Sequence, residues 1–234
     1  MAYRLVYANY VQRGYIEPRP SGLWVTLFNA LPEALTLVGV VRGEVVATVT
    51  VFPDSPLLLP MDEIYHAELM ILRTAGRVLA EVGMLADRRQ QVHRTLPAVL
   101  ALMKLVFHYA MSILKADDLC IAINPRHDQF YRRFLPFEEL AGERSYPRMR
   151  DNPALARRLC LAGARETCAG NPFLLEHFFG NPPNTATFLN RYRPTPADWR
   201  YFLVERTDVW QQATPEARRR LLESVPGLAM LGKE

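Results

Sequence analysis

The stretch from Val92 to Leu114 restricts the fold most, because it predicts one long helix with a broad apolar face. Apolar stretches at 78–86 and 119–123 lie on either side of it, and each predicts a strand. The second is short and almost wholly apolar, which is typical of a strand in the middle of a sheet. Strands that alternate with helices predict an α/β or α+β class, in which helices flank a mixed, mostly antiparallel sheet.

Further elements are predicted around this unit. Residues 36–41 and 45–52 predict a hairpin, since they are rich in β-branched residues and enclose the turn Arg42-Gly43. Helices are also predicted at 3–13, 22–30, 62–73 and 126–135, and closing strands at 137–140 and 158–162. We expect residues 1–170 to form the core and residues 171–234 to form a helical C-terminal extension packed on it, as one domain overall.

Composition limits the class of protein. Half of the 234 residues are hydrophobic, and the three cysteines are too few for a disulfide framework or a cysteine-based metal site. The start of the chain lacks the unbroken apolar core of a signal peptide, and no apolar run approaches the length of a membrane span. We therefore expect a soluble, cytoplasmic protein with no metal and no transmembrane segment.

The net charge of +4 lies entirely in the second part of the chain. Residues 1–139 hold 14 basic and 14 acidic side chains, whereas residues 140–234 hold 14 basic and 10 acidic ones. An acidic partner would meet the second region or its border, although scattered arginines more often form a solvated surface. Nucleic acid is not expected as a partner, since the charge is dispersed and the sequence has no nucleic-acid-binding motif.

Side chains suited to acyl transfer from a thioester to an amine lie in and after the strand at 78–86. Glu81 is a carboxylate in an apolar strand, and burial would raise its pKa enough for it to accept a proton from an ammonium group. Gly83 predicts a bulge, which would free backbone N–H groups near Gly83 and Met84 to bind an oxyanion. Tyr131, on a later helix, could return a proton to the departing thiolate.

A cationic loop joins this strand to the long helix. Arg88, Arg89 and Arg94, together with the free N–H groups at the start of the helix, predict a site for a phosphate. Each of these features is common by itself. A lone Glu in a strand is usually paired with an arginine, a lone Tyr usually belongs to the core, and an arginine-rich loop is usually solvated.

The order of these residues resembles the GNAT superfamily of acyltransferases. The segment 123–137, with Ile-Asn-Pro-Arg-His and then Phe-Tyr-Arg-Arg, is similar to the strand-to-helix segment of those enzymes, although Pro136 stands where a glycine is usual. A closer resemblance, over residues 3–150, is to the long-chain N-acyl amino acid synthases. Its anchors include Gly-Glu-Val-Val-Ala at 43–47, Pro-Asp-Ser-Pro at 53–56 and Ala-Glu-Val at 80–82.

The resemblance implies a GNAT fold whose splayed sheet admits the donor's pantetheine arm between the fourth and fifth strands. It implies transfer of a long-chain fatty acyl group from the phosphopantetheine of acyl carrier protein to the α-amine of an amino acid, with no tightly bound cofactor. By position, Glu81 would be the general base, Tyr131 the proton donor to sulfur and Asn124 a pantetheine contact. The loop at 88–94 lacks the glycines of acetyl-CoA users, which favours the acidic carrier protein as donor.

Several alternatives stay open. Homoserine lactone synthases share this fold and donor but use S-adenosylmethionine as the acceptor. A catalytically inactive GNAT-like domain that binds a lipid or a partner is a second alternative, and a CoA-dependent acetyltransferase is a third. Arg4, Arg13 and Arg73 are candidates to bind an acceptor's carboxylate through a bidentate pair, and a structural ion pair is an equal alternative for each.

Overall fold

The computed structural model describes residues 1–88, 92–134 and 137–232, and within these ranges six strands form one sheet. The strands are β1 (Leu35–Val41), β2 (Glu44–Pro53), β3 (Leu79–Asp87), β4 (Asp118–Ile123), β5 (Glu138–Tyr146) and β6 (Asn152–Cys160). Their order across the sheet is β1-β2-β3-β4-β6-β5. β3 and β4 are parallel, and the other neighbouring pairs are antiparallel, which confirms the predicted mixed, mostly antiparallel sheet.

Helices precede or connect the strands and make up most of the chain after β6. The earlier ones are α1 (Ala2–Gln12), α2 (Asp62–Thr74), α3 (Val92–Tyr109) and α4 (Asp128–Phe134). The later ones are α5 (Ala164–Cys168), α6 (Pro172–Leu175), α7 (Ala186–Leu189), α8 (Pro196–Arg200), α9 (Val209–Gln212) and α10 (Pro215–Ser224). α3, α6 and α8 continue directly into π-helical turns at Ala110–Leu114, Glu176–Gly180 and Tyr201–Glu205.

β3 and β4 separate along their length, and this opens the sheet. They pair from Leu79 with Asp118 to Glu81 with Cys120, after which β3 runs on to Asp87 and β4 to Ile123. Their outer edges are occupied by β2 and β6. Beyond Glu81, the two facing edges therefore present backbone N–H and C=O groups that no described strand pairs with.

α3 is the main core helix of the sheet. Its buried side chains Val99, Met103 and Val106 join a cluster with residues of β2, β3 and β4. By length and composition, Leu96–Leu114 is long and apolar enough to cross a membrane, which corrects the expectation that no stretch approached that length. A helix that buries one apolar face against a sheet meets the same criteria of length and composition.

Two further apolar clusters hold the remaining helices. α2 contributes Tyr65 and Leu69 to a cluster with residues of β3, β4 and β6. The other cluster joins α1 and the segment 16–31 to the helices after β6. Its buried C-terminal members are Trp199, Leu203, Trp210, Leu221, Leu228 and Leu231. The C-terminal helices therefore share their core with the first helix of the chain.

Element boundaries differ from the predictions where the local pattern is weak. The α-helical part of the predicted helix at 92–114 ends at Tyr109, and a π-helical turn completes it. The predicted helix at 22–30 is one 3-10 turn, Leu27–Ala30. β5 is longer than predicted because most of its side chains are exposed, so the strand has little apolar alternation to mark it.

Candidate active site

A cavity of about 360 Å³ lies where β3 and β4 part. Its lining comes from both strands, from α1 and the segment after it, from α3 and α4, and from the end of β5. The polar side chains that line it are Tyr10, Arg13, Tyr15, Thr26, Glu81, Asp87, Asn124, His127, Tyr131, Tyr146 and Arg148. Glu81, Gly83, Met84, Asn124 and Tyr131, which the sequence singled out from two separate segments, all line this one cavity.

Glu81 is the buried carboxyl group of the cavity. Its residue is 4% exposed, and its Oε2 accepts a hydrogen bond of 2.8 Å from the backbone N–H of Met61. Burial raises the pKa of Glu81 to about 8, a rise that the Met61 N–H and the charge of Arg148 oppose and the charge of Asp62 assists. No cation of the described residues forms an ion pair with Glu81, so the carboxyl can exchange protons near neutral pH.

A β-bulge follows Glu81 on the same strand. Ala86 lies opposite Thr48 and Gly83 opposite Thr50, so β3 has one more residue than β2 between these pairs. Met84, within this bulge, has a φ of 53°, in the left-handed region. A Cβ on Gly83 would lie 3.2 Å from the ring of Phe52, so glycine gives this ring room. The bulge that Gly83 predicted is therefore present, one residue further along.

Three tyrosines line the cavity together with Glu81, and two of them, Tyr131 and Tyr146, are buried. Tyr131 on α4 is 8% exposed, and burial raises its pKa above the ordinary range of a phenol. Burial likewise raises the pKa of Tyr10 on α1 and of Tyr146 at the end of β5. The Tyr146 hydroxyl donates to the carbonyl of Pro60 at 3.0 Å. All three phenols keep their protons at neutral pH and can act as hydrogen-bond donors.

Sequence reasoning identified only one of these three tyrosines. Tyr10 was predicted as part of the apolar face of the first helix, and Tyr146 was not singled out. A tyrosine on an apolar helix face is no different in pattern from a core residue, and β5 lacked a recognisable pattern around Tyr146. Only the fold brings these residues from the two ends of the core to one place.

Arg13 lies at the end of α1 and points into the cavity beside His127. Its Nη1 donates to His127 Nε2 at 2.9 Å, so we assign His127 the neutral tautomer with its proton on Nδ1. Within the described residues, the buried Arg13 Nε has no hydrogen-bond partner. Arg13 therefore lines the cavity and keeps one donor that no described group uses.

Asn124 stands at the end of β4 and holds the turn into α4. Its Oδ1 accepts a hydrogen bond from the N–H of Arg126 at 3.1 Å, and its Nδ2 donates to the carbonyl of Pro153 at 3.3 Å. The side chain lines the cavity as well. Its role as a contact for pantetheine stays a prediction.

The predicted phosphate-binding arginines are only partly described. Arg88 pairs with Glu44 at 2.7 Å on the surface, near the opening between β3 and β4. Arg89 and the side chain of Arg94 lie outside the described residues. Arg4 is exposed on α1 and is not part of the cavity lining.

Arg73 corrects one expectation about the acceptor. Its guanidinium binds Asp54 at 2.6 and 2.9 Å and Asp62 at 2.6 and 2.7 Å, and it is not part of the cavity lining. The structural ion pair that the sequence left open is therefore what Arg73 forms. Four hydrogen bonds hold its guanidinium against two carboxylates of its own chain, away from the cavity.

The split parallel pair, with groups from both faces of the sheet meeting at Glu81, defines an acyltransferase of the GNAT type. A family model described as "N-acyl amino acid synthase FeeM" matches residues 1–160. The chain belongs to this family, and its function is that of an N-acyl amino acid synthase. The resemblance found in the sequence is thereby confirmed.

Solved structures agree with this assignment. The structure of FeeM, an N-acyl amino acid synthase from uncultured soil microbes, is similar with 29% identity and a TM-score of 0.63, over 74% of this chain and 90% of that one. The CoA-dependent acyl-homoserine lactone synthase BjaI has 16% identity and a TM-score of 0.55, over 77% and 81%. The acyl-homoserine lactone synthase LasI has 12% identity and a TM-score of 0.51, over 78% of this chain and 87% of that one. The last two similarities support the fold alone. Among curated protein sequences, none matches the chain.

Proposed function

We propose that this protein transfers a long-chain fatty acyl group from the phosphopantetheine of acyl carrier protein to the α-amine of an amino acid. The observation that carries the proposal is the position of Glu81. Its carboxyl group is buried, has no ion-pair partner among the described residues and lies where β3 and β4 diverge. A group with a pKa of about 8 is suited to deprotonate an ammonium ion near neutral pH.

The proposed reaction follows from the groups around this carboxylate. Glu81 takes a proton from the acceptor's ammonium group, and the neutral amine attacks the thioester carbonyl. Backbone N–H groups at Gly83 and Met84 stabilise the oxyanion, since the bulge and the strand separation free this part of β3 from regular pairing. The C–S bond then breaks, and the Tyr131 hydroxyl protonates the thiolate and regains a proton from the new nitrogen. The products are an amide and a free thiol, and Glu81 releases its proton to solvent.

The donor is assigned from the loop before α3 and the edge of the gap. Arg88, Arg89 and Arg94 would bind the single phosphate of the pantetheine arm, and Asn124 would contact the arm itself. Carrier protein is acidic, which fits these arginines. Because BjaI is described as CoA-dependent, acyl-CoA is the alternative donor to compare with acyl carrier protein.

The acceptor is assigned from Arg13. A free amino acid carries a carboxylate beside the reacting amine, and the unpartnered Arg13 Nε in the same cavity as Glu81 is suited to it. A reducing cytoplasm would suit the free cysteines Cys120, Cys160 and Cys168.

The test is a reconstituted reaction with the purified protein. Palmitoyl carrier protein, palmitoyl-CoA and a mixture of amino acids are supplied, and products are identified by mass spectrometry. We expect N-palmitoyl amino acid with the carrier donor, a rate about 10²- to 10⁴-fold lower for Glu81→Gln, and a smaller loss for Tyr131→Phe. Glu138→Gln is the matched control, since Glu138 is an exposed carboxylate on β5 that pairs with Arg158.

The alternatives give different products. If an acyl-homoserine lactone forms when S-adenosylmethionine is added, the acceptor is S-adenosylmethionine and not a free amino acid. Equal rates with palmitoyl-CoA would remove the preference for carrier protein. Full activity of Glu81→Gln would refute the assignment of the base, and absence of any acyl transfer would refute the proposal.

A further inference from the structure

A second hollow of about 710 Å³ opens beside the active cavity. One wall consists of the segment 24–28 and the loop 57–63 that leads into α2. The other wall consists of α9 and α10 and the turn between them. We call this hollow the lateral groove. Its surface between the two walls is mainly apolar and includes Val25, Phe28, Leu57, Leu59, Ala213 and Ala217.

The lateral groove adjoins the active cavity. Trp24, Thr26, Pro60 and Arg148 line both hollows. Arg148 pairs with Glu63 at 2.8 Å, which keeps its guanidinium at the junction. These four residues form the boundary that a long molecule bound at Glu81 would have to pass to reach the groove.

The outer wall of the lateral groove lies beyond the family match, which ends at residue 160. α10 is fixed there by the fully buried Leu221 and by Arg218, whose Nε donates to the carbonyl of Trp210 at 2.8 Å. Arg220 reaches across the groove and donates to the carbonyl of Pro56 at 3.5 Å. The wall is therefore an ordered part of this chain that lies outside the residues matched by the family model.

Every charged side chain that lines the lateral groove has an ion-pair partner. Arg19 pairs with Asp208, Asp62 with Arg73, Glu63 with Arg148, and Glu216 with Arg220. A zwitterionic amino acid would find no uncompensated charge there, whereas an alkyl chain needs only apolar surface. The active cavity differs. Among the described residues, Glu81 has no ion-pair partner, and the Arg13 Nε has no hydrogen-bond partner.

We propose that the lateral groove holds the distal part of the donor's acyl chain, and that α9 and α10 set the chain length that the enzyme accepts. The proposal rests on the proposed function, in that the donor carries a long chain. The active cavity must hold the thioester and the acceptor together. The chain beyond the thioester needs a further apolar space, and the groove is a mainly apolar hollow that adjoins the cavity.

The experiment narrows the groove from its outer wall. Ala217→Trp fills the groove, and Ala186→Trp, at an exposed alanine on α7 outside the groove, is the matched control. Rates are measured with carrier protein loaded with octanoyl, dodecanoyl or palmitoyl chains. We expect Ala217→Trp to lower kcat/KM at least about tenfold for palmitoyl and to leave octanoyl unchanged, since the variant removes only the far end of the site. Circular dichroism checks folding, and Ala217→Leu is used if the Trp variant unfolds.

A direct binding measurement separates this proposal from the proposed function. Palmitate is titrated into wild type and Ala217→Trp by calorimetry. If the wild type transfers no acyl group but binds palmitate, and Ala217→Trp loses that binding at least about tenfold, the groove proposal stands without the reaction. An equal effect on all chain lengths, or a changed preference among amino acids with an unchanged chain-length profile, would overturn it. Palmitate binding unaffected by Ala217→Trp would overturn it as well.

Discussion

Two buried carboxyl groups, Asp62 at the start of α2 and Glu81 on β3, lie close together in opposite surroundings. Asp62 accepts hydrogen bonds from Arg73, from His66 and from the N–H of Leu59. Burial alone would raise its pKa, but these partners, Arg73 foremost, lower it below the ordinary value. Glu81 has one N–H partner and no described cation, and its pKa rises to about 8.

The difference separates structural charge from reactive charge. A buried carboxylate with an arginine stays ionised and holds two elements together, here α2 and the loop after β2. A buried carboxyl without a cation stays near the point of proton exchange, which is costly for folding and useful for chemistry. The N–H of Met61, next in sequence to Asp62, donates to Glu81, so the structural pair also fixes the position of the reactive group.

The largest expected effect comes from removing the cation. Arg73→Ala leaves Asp54 and Asp62 without their arginine and should lower the free energy of unfolding by about 3–5 kcal/mol. Chemical denaturation measures this, with Arg144→Ala as control, because Arg144 forms an exposed pair with Glu68 and should matter far less. If Arg73→Ala instead raises the KM for the amino acid and leaves stability unchanged, Arg73 binds the acceptor and its role is not structural.

The second prediction is a gain in the free energy of unfolding, opposite in sign to the loss expected for Arg73→Ala. The pKa of Glu81 is raised in the folded protein from 4.5 to about 8, so its contribution to stability is full below the unfolded pKa and is lost as pH rises toward the folded pKa. Gln cannot ionise, and Glu81→Gln should therefore raise the free energy of unfolding at about pH 7 by on the order of 3 kcal/mol. The gain should vanish near pH 4. A stability loss at neutral pH would contradict the interpretation of Glu81 as an unpaired group.

Arg13 tests the other unpaired group of the cavity. Arg13→Gln removes a charge-assisted partner of the acceptor carboxylate and should raise the KM for the amino acid about 10- to 100-fold, with the KM for the donor unchanged. Arg4→Gln, on the exposed side of the same helix, should change neither value. If both KM values rise together, Arg13 acts on the whole cavity and not on the acceptor.

The last prediction concerns the pH dependence of the wild-type rate. If Glu81 must be deprotonated, kcat/KM should rise about tenfold per pH unit below about 8 and level off above it. The residual rate of Glu81→Gln should lack this step. A wild-type rate that does not change from pH 6 to pH 9 would show that Glu81 is not the general base.

The sequence predicted the central fold well because its pattern there is strong. The hairpin, α2, β3, α3 and β4 all form close to the predicted bounds, since apolar periodicity and turn residues agree in these segments. β5 was recognised only in part, because its exposed side chains give no period. Within the predicted helical extension, residues 196–212 form three short pieces, α8, a π-helical turn and α9, which the spacing of apolar residues could not distinguish from one continuous helix.

The sequence singled out site residues that carry chemistry, but it did not reveal those whose position depends on the three-dimensional fold. Glu81 and Tyr131 stood out in their local segments, and the fold brings them into one cavity. The engagement of Arg73 with Asp54 and Asp62 depends on how a loop packs on a helix, which no spacing reveals. Tyr10, Tyr146 and the contact between Arg13 and His127 likewise join residues that are far apart in the chain.

The cluster that joins α1 to the C-terminal helices has a consequence for how the molecule is made. On the ribosome α1 emerges well before Trp199, Trp210 and Leu221, which help to bury it. The part of α1 that these residues cover stays exposed while the sheet is made, a period in which chaperones can bind it. Contacts this distant in sequence also slow folding. The packing around α1 is therefore completed only after residues 199–221 have been made.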